Sequence, residues 1–376
     1  MISEAALKSY LLERFSDVTQ VNVSRLGSGV QGSGFLIETT TSTGIQSYVI
    51  KTLISEGLGH DYPSDRAAVF LLDLDEYNNL PKHVKGIDVL SEMRDGSLKS
   101  IGGGKEYYLL MERAEGKSYF NDLTALSRKD RLGEEDIKKI KAMTSYLAGI
   151  HAVKKDSKTL YFRKLRDTVG HGECLMGVFD TYPDGVLSCE EMADIIKKSV
   201  DRIAKLKPKY TRLSLIHGDF HPGNIWFKEF NPESEPPSPV LAAHTPPLLP
   251  QFAGGAYGGP DFVLLDRSRG PWGDPADDVT ALAINYIFFS IKHYGDVMGA
   301  YLDGLKLFFS EYVRTSGDEE ITGIVAPFFA FRGAVVANPV FYPELTLGQR
   351  NLIFRFVHNV LDDDRFDYEN VNDYLR

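Results

Sequence analysis

The run Leu213–Phe227 reads LSLIHGDFHPGNIWF. It begins apolar, breaks at Pro222 and Gly223, and resumes as Ile225-Trp226-Phe227. Apolar runs bounded by turn residues read as buried strands, so the polar residues lie on a loop joining two of them. That loop presents His217, Asp219, His221 and Asn224, with four residues between Asp219 and Asn224.

Towards the N-terminus, Val21, Val23 and Leu26 alternate with polar residues and lead into Gly27-Ser28-Gly29-Val30-Gln31-Gly32-Ser33-Gly34. FLIETT follows, then a turn near Gly44, then SYVIKTL. Strand, glycine loop, strand, turn and strand make an antiparallel meander, not the strand-to-helix setting of a dinucleotide fingerprint. Glycines let backbone amides approach phosphate oxygens, and Ser28 and Ser33 add hydroxyl donors. A glycine-rich loop alone is weak evidence, since a simple hairpin is commoner. Lys51 shifts the balance. It is the one cation in Tyr48-Val49-Ile50-Lys51, about 20 residues past the loop, close to the V-A-I-K pattern whose lysine reaches nucleotide phosphates. The Asp219–Asn224 spacing is likewise that of a kinase catalytic loop. There the aspartate accepts the proton of the attacking hydroxyl and the asparagine holds magnesium.

Residues 64–79 read as a helix, capped by Ser64 or Asp65 and stopped by Pro81. Asp73 and Glu76 are equal candidates to pair with Lys51. Two further strands are expected, GIDVLSEM and EYYLLMERAEG. The second would carry the backbone of Glu112–Ala114 past an adenine edge.

With 376 residues the chain can bury a large core, and its length suggests about two domains. No stretch approaches the roughly 20 uncharged apolar residues of a membrane span. The start lacks the basic and apolar regions of a secretory signal, and Leu7, Tyr10, Leu11 and Phe15 form a helical stripe behind Ser3. Cys174 and Cys189 are too few for a disulfide framework. A cytoplasmic protein is expected, without membrane contact. The net charge of −10 argues against nucleic acid, which needs a basic face. Residues 277–376 hold 15 Asp and Glu against 8 Lys and Arg. A solvated acidic surface is the commoner meaning of such a bias, and a pocket for a cationic substrate the functional one.

Beyond Gly116 the pattern turns helical. Ile137, Ile140, Leu147 and Ile150 share one face of 134–153, with His151 expected to be packed or capping, and CEEMADIIKKSVDRIAKL forms a second helix. Eight of the 18 prolines fall in 231–260, a Pro/Gly-rich insertion expected to be exposed and mobile. DFVLLD then brings Asp266 to a strand end. Asp274-Pro275 opens a helix through Asp278, and aromatic-rich helical runs fill the remainder.

HGDFHPGN and LLDRSRGPWGDPADDV together resemble the two signature segments of the aminoglycoside phosphotransferase and choline kinase-like family, small-molecule kinases on the protein-kinase fold. The resemblance implies an α+β, bilobal protein-kinase-like fold. Its N-lobe would be an antiparallel β-sheet with one helix, and its larger C-lobe mainly α-helical. Residues 1–114 would form the nucleotide-binding lobe and 115–376 the catalytic and substrate lobe, with ATP and Mg²⁺ in the cleft. It implies Asp219 as catalytic base, Asn224 and Asp266 as magnesium ligands, and Lys51 on the nucleotide phosphates with the glycine loop (Gly27, Ser28, Gly29, Gly32, Ser33). Glu112 and Ala114 would border the adenine, and Asp278 would fix its segment. Arg267 and Arg269, where the family has an aromatic, either meet phosphate or face solvent. The acceptor is a small molecule bearing a hydroxyl, and the acidic C-terminal third favours an amine-bearing one (an aminoglycoside or amino alcohol) over a sugar. Two other readings remain: a non-catalytic ATP-binding module of kinase fold, and a metal-dependent hydrolase using His217 and His221.

Overall fold

Three N-terminal strands pair in the order in which they occur. β1 (Gln20–Ser28), β2 (Gly32–Thr41) and β3 (Gly44–Leu53) form an antiparallel sheet, with Ser28 opposite Ser33 and Thr41 opposite Gly44. A computed structural model describes residues 3–15, 17–28, 32–55, 57–79, 84–107, 109, 111, 113–228, 259–267 and 269–376. The chain divides into two compact units, Met1–Met111 and Glu112–Arg376.

In the first unit, α1 (Glu4–Arg14) begins where the Ser3 hydroxyl accepts from the Ala6 amide. Its Leu7 and Leu11 pack with Val18, Val21, Ile37 and Leu98 into the core of the unit, joined by Tyr48 and Ile50 of β3. Alternation along β3 turns Ile45 and Val49 outward, so the strand covers a core with one face only. A second helix, α2 (Pro63–Tyr77), gives the unit two helices where the fold expectation named one. The stripe behind Ser3 accounts for the extra one.

The two later strands differ from expectation. β4 (Leu90–Glu92) pairs with β5 (Leu98–Ser100) across the turn Met93–Gly96, closed by the Gly96 amide donating to the Met93 carbonyl at 3.0 Å; Gly96 takes φ +81° and the Ser97 amide donates to the Asp95 carboxylate at 2.9 Å. This tight turn supplies β4 with a local partner. The described residues of 105–116 form no strand, and Tyr107, Leu109 and Met111 are exposed.

The second unit is mainly helical, as expected. β6 (Lys117–Ser118) leads into α3 (Tyr119–Leu126), α4 (Glu134–His151), α5 (Lys158–Gly170), α6 (Leu175–Phe179) and α7 (Cys189–Leu206). After β7 (Ser214–Leu215), β8 (Ile225–Phe227) and β9 (Phe262–Leu264), β10 (Trp272–Gly273) precedes four long helices. These are α8 (Ala276–Tyr294), α9 (Gly299–Ser316), α10 (Ala326–Ala337) and α11 (Leu347–Asp362). β8 lies between β6 and β9, and β7 pairs with β10. Within 231–260, residues 231–258 lie outside those described; the segment joins the paired strands β8 and β9.

α8 is buried on every face from Ala276 to Ile291, and α10 along nearly its whole length. Helices apolar all round belong to the middle of a core, and these two pack against each other with α9 and α11 around them. The N-terminus of α8 thereby becomes a fixed platform beneath the loop after β7. Among the described residues, no helix is long and apolar enough to cross a membrane.

Candidate functional site

β7 and β8 end the two apolar runs, and the loop between them turns at Gly218, which has φ +87°. That left-handed conformation favours glycine. The loop is fastened to α8 through one side chain. Asp278 Oδ2 accepts from the His217 amide and Oδ1 from the Gly218 amide, both at 2.7 Å. Asp278 is itself oriented by His151 at the end of α4. His151 Nε2 lies 3.2 Å from Oδ2, and its Nδ1 is 2.9 Å from the Tyr312 hydroxyl. His151 is therefore packed, with its ring holding the aspartate that holds the loop. Burial by itself would raise the pKa of Asp278, but the His151 contact and the His217 amide outweigh it and hold the carboxyl below its usual range.

Asp219 follows at once and is met by two arginines. Arg332 Nη1 is 2.6 Å and Arg269 Nη2 2.9 Å from Asp219 Oδ1, and both guanidiniums also donate to the Gly218 carbonyl. Arg332 reaches back to Asp277 Oδ1 at 2.6 Å, and the other oxygen of Asp277 lies 3.4 Å from Lys164 Nζ. Arg269 and Arg332 sit over the Phe331 ring at 5.2 and 4.5 Å. Burial alone would raise the pKa of Asp219; the guanidiniums of Arg332 and Arg269 outweigh it and hold the carboxyl far below the usual range.

The histidines brace the loop. His217 Nδ1 accepts from the Asp219 amide at 3.2 Å and His221 Nδ1 from the Gly223 amide at 3.0 Å. Burial holds both rings below the usual histidine pKa. Asn224 Nδ2 donates to the Asp219 carbonyl at 3.1 Å, which leaves its amide oxygen as the atom free to face a cation. The Leu265 amide donates to the Asn224 carbonyl at 2.9 Å, so Asp266 stands one residue beyond a strand pairing anchored at Asn224. Asp266 is exposed and has φ +49°, a conformation uncommon outside glycine and found where the surroundings demand it. Asp219, Asn224 and Asp266 thus share one loop-and-strand corner of the second unit.

The remaining candidates are placed separately. Lys51 Nζ lies 3.9 Å from Asp73 Oδ2, which selects Asp73 over Glu76, though the lysine side chain is 56% exposed. Gly27 and Ser28 end the β1–β2 pairing opposite Gly34 and Ser33, Gly32 opens β2 opposite Leu53 of β3, and Gly29 and Glu112 lie outside the described residues. Ala114 is half-buried in irregular backbone. Gly32 has a packing reason to be glycine: a Cβ there would stand 1.8 Å from the Thr52 carbonyl oxygen of β3. Gly32→Ala is accordingly expected to force β2 and β3 apart and to cost about 1–3 kcal/mol. Thermal melting of the full chain checks it, and an unchanged Tm would refute the steric assignment.

Beside Asp219 the second unit holds a half-open cavity of about 380 Å³, lined among others by His221, Arg269, Asn285, Phe331, Arg332 and Tyr342. Sequence reading missed Arg332 and Asn285 there, and Lys164 behind them against Asp277, and left Arg269 with two possible roles. Arg332 did carry a signal, being the one charge in APFFAFRGAVVA, where a buried cation must find partners.

No family model matches the chain, and no curated protein matches it. Among solved structures it is similar to an ethanolamine kinase from Plasmodium vivax, 11% identical with a TM-score of 0.31, over 99% of this chain and 83% of that one. It is also similar to a glucosamine kinase, 12% identical with a TM-score of 0.30, over 100% of this chain and 96% of that one. Likenesses of this size assign no family.

Proposed function

We propose that the chain is a small-molecule phosphotransferase moving the γ-phosphoryl group of ATP to an acceptor hydroxyl. The observation that carries this reading is Asp219, a carboxylate on a sharply turned, fixed loop, lining a cavity of ligand size with Asn224 bonded behind it. In the reaction the acceptor oxygen bonds to the γ-phosphorus as the bond from phosphorus to the bridging oxygen breaks. ADP leaves, and the hydroxyl proton passes to Asp219. Because two guanidiniums hold Asp219 ionised, it orients the hydroxyl throughout and takes the proton late, which suits the loose transition state of phosphoryl transfer.

Asn224 Oδ1 and the Asp266 carboxylate are hard oxygen donors of the kind magnesium takes one or two of, the rest coming from phosphates and water. Bound there, the ion would neutralise phosphate charge. Residues 1–114 are assigned to the nucleotide, with Gly27, Ser28, Gly29, Gly32, Ser33 and Lys51 on phosphates and Glu112 and Ala114 by the adenine. Residues 115–376 are assigned to catalysis and the acceptor. A hydrolase built on His217 and His221 is disfavoured because each ring already uses Nδ1 on the loop's own backbone.

The test is ATP consumption by the full chain over a panel of sugars, polyols and amino alcohols, with and without magnesium. Acceptor-dependent ADP release that EDTA abolishes is expected. ATP bound but never consumed would leave a binding module instead.

A further inference from the structure

Resting on that reading, the cavity also bears on the charge of the acceptor. Five side chains form one chain of contacts: Arg269 to Asp219, Asp219 to Arg332, Arg332 to Asp277, and Asp277 to Lys164. The three cations are nearly enclosed, with side-chain exposures of 10% for Arg269, 6% for Arg332 and 9% for Lys164. Among the described residues they meet two carboxylates, Asp219 and Asp277, one fewer than the cations. Backbone carbonyls of Gly218 and Arg269 accept some of the donors but bring no charge. An enclosed excess charge is costly without a counter-ion.

Hydrogen-bond capacity is also unmet. Nε of Arg269, Nε of Arg332 and Oδ1 of Asn285 have no partner among the described residues and are shut off from water. All three residues line the cavity. Burial lowers the pKa of His221 there, and Glu173, the other lining carboxylate, is exposed and makes an interaction of its own. None of the 15 acids of residues 277–376 lines the cavity, so the acidic C-terminal third is turned elsewhere.

We infer that the acceptor carries an oxyanion, a carboxylate or a phosphate, on the same molecule as its reacting hydroxyl. Arg269 and Arg332 recognise the oxyanion, which supplies both the missing negative charge and the missing acceptors. Asn285 Oδ1 takes a further hydroxyl of the acceptor. The specificity is thus the reverse of an amine-bearing acceptor.

The test uses the full chain with magnesium and ATP and two matched series. These are glycerol, glycerate, glycerol 3-phosphate and 3-amino-1,2-propanediol, and glucose, gluconate, glucose 6-phosphate and glucosamine. In at least one series an anionic member should exceed its neutral and amine counterparts in kcat/KM by about 100-fold or more, and the carboxylate and phosphate arms identify which oxyanion. Arg269→Gln should collapse that ratio at least tenfold without raising the KM for ATP. Asn285→Asp, which adds a carboxylate outside the ion-pair chain, should lower it too. Preference for the neutral or amine members overturns the inference and leaves phosphotransfer standing. So does an unchanged ratio in both variants, or an Arg269→Gln effect confined to ATP. If nothing is phosphorylated, the phosphotransfer reading fails, and calorimetric titration with gluconate and inorganic phosphate, without nucleotide, decides the anion site. Binding weakened at least tenfold by Arg269→Gln supports it, and no binding, or binding the variant leaves intact, overturns it.

Discussion

Asp219→Asn is expected to lower turnover by about 10²–10⁴-fold, the contribution typical of a positioned group that manages a proton, while ATP binding stays within a few-fold of the parent. The replacement keeps the shape of the side chain and removes its charge. Arg332 at 2.6 Å and Arg269 at 2.9 Å would then face an amide, and among the described residues Arg332 would keep Asp277 alone as an ionic partner. Loss of activity must therefore be separated from loss of fold. Circular dichroism melts report the second, and steady-state ADP release at saturating acceptor reports the first. A variant that melts near the parent and turns over at the parent rate would remove Asp219 from the chemistry.

Much of the site was legible because it is local in sequence. The spacing of Asp219 and Asn224, the glycine turn and the strands on either side all lie within Leu213–Phe227, where composition alone separates strand from loop. Asp274-Pro275 marked the start of α8 in the same way: the Asp274 carboxylate accepts from the Ala276 amide at 3.0 Å, at the first turn of the helix. What sequence could not supply were long-range pairings. Arg332 is 113 residues from Asp219 and sits on a helix that shows no amphipathic stripe because every face is buried. Asp73 and Glu76 lie one helical turn apart, and only coordinates choose between them for Lys51. The described residues of 106–116 form no strand although their composition favours one, and β4 pairs instead with β5 across the short connection Met93–Ser97.

Asp278→Ala is expected to be the most destabilising single change near the site, at about 3–5 kcal/mol, the usual cost of stripping one side from a buried, charge-assisted set of contacts. Asp278 is fully enclosed and gives both oxygens to the amides that start the loop, with His151 behind it. Its removal leaves two buried N–H groups without acceptors, each costing about 1–3 kcal/mol, and frees the loop that carries Asp219. Against a total stability of about 5–15 kcal/mol this is a large share, so a urea melt should shift well below the parent midpoint and turnover should fall with it. The same carboxylate gives stability a pH dependence of definite sign. Its folded pKa lies below the unfolded value of about 3.9, so the unfolded chain binds the proton more readily. The stabilisation is present above about pH 4 and is lost as pH falls below it. Asp274, buried against Arg212 with its pKa also lowered, acts in the same direction. Lowering pH from 6 to 3 should therefore depress the melting temperature of the parent more steeply than that of Asp278→Ala. Parallel curves would mean that the carboxylate is not ionised in the folded chain, and the loop would need another anchor.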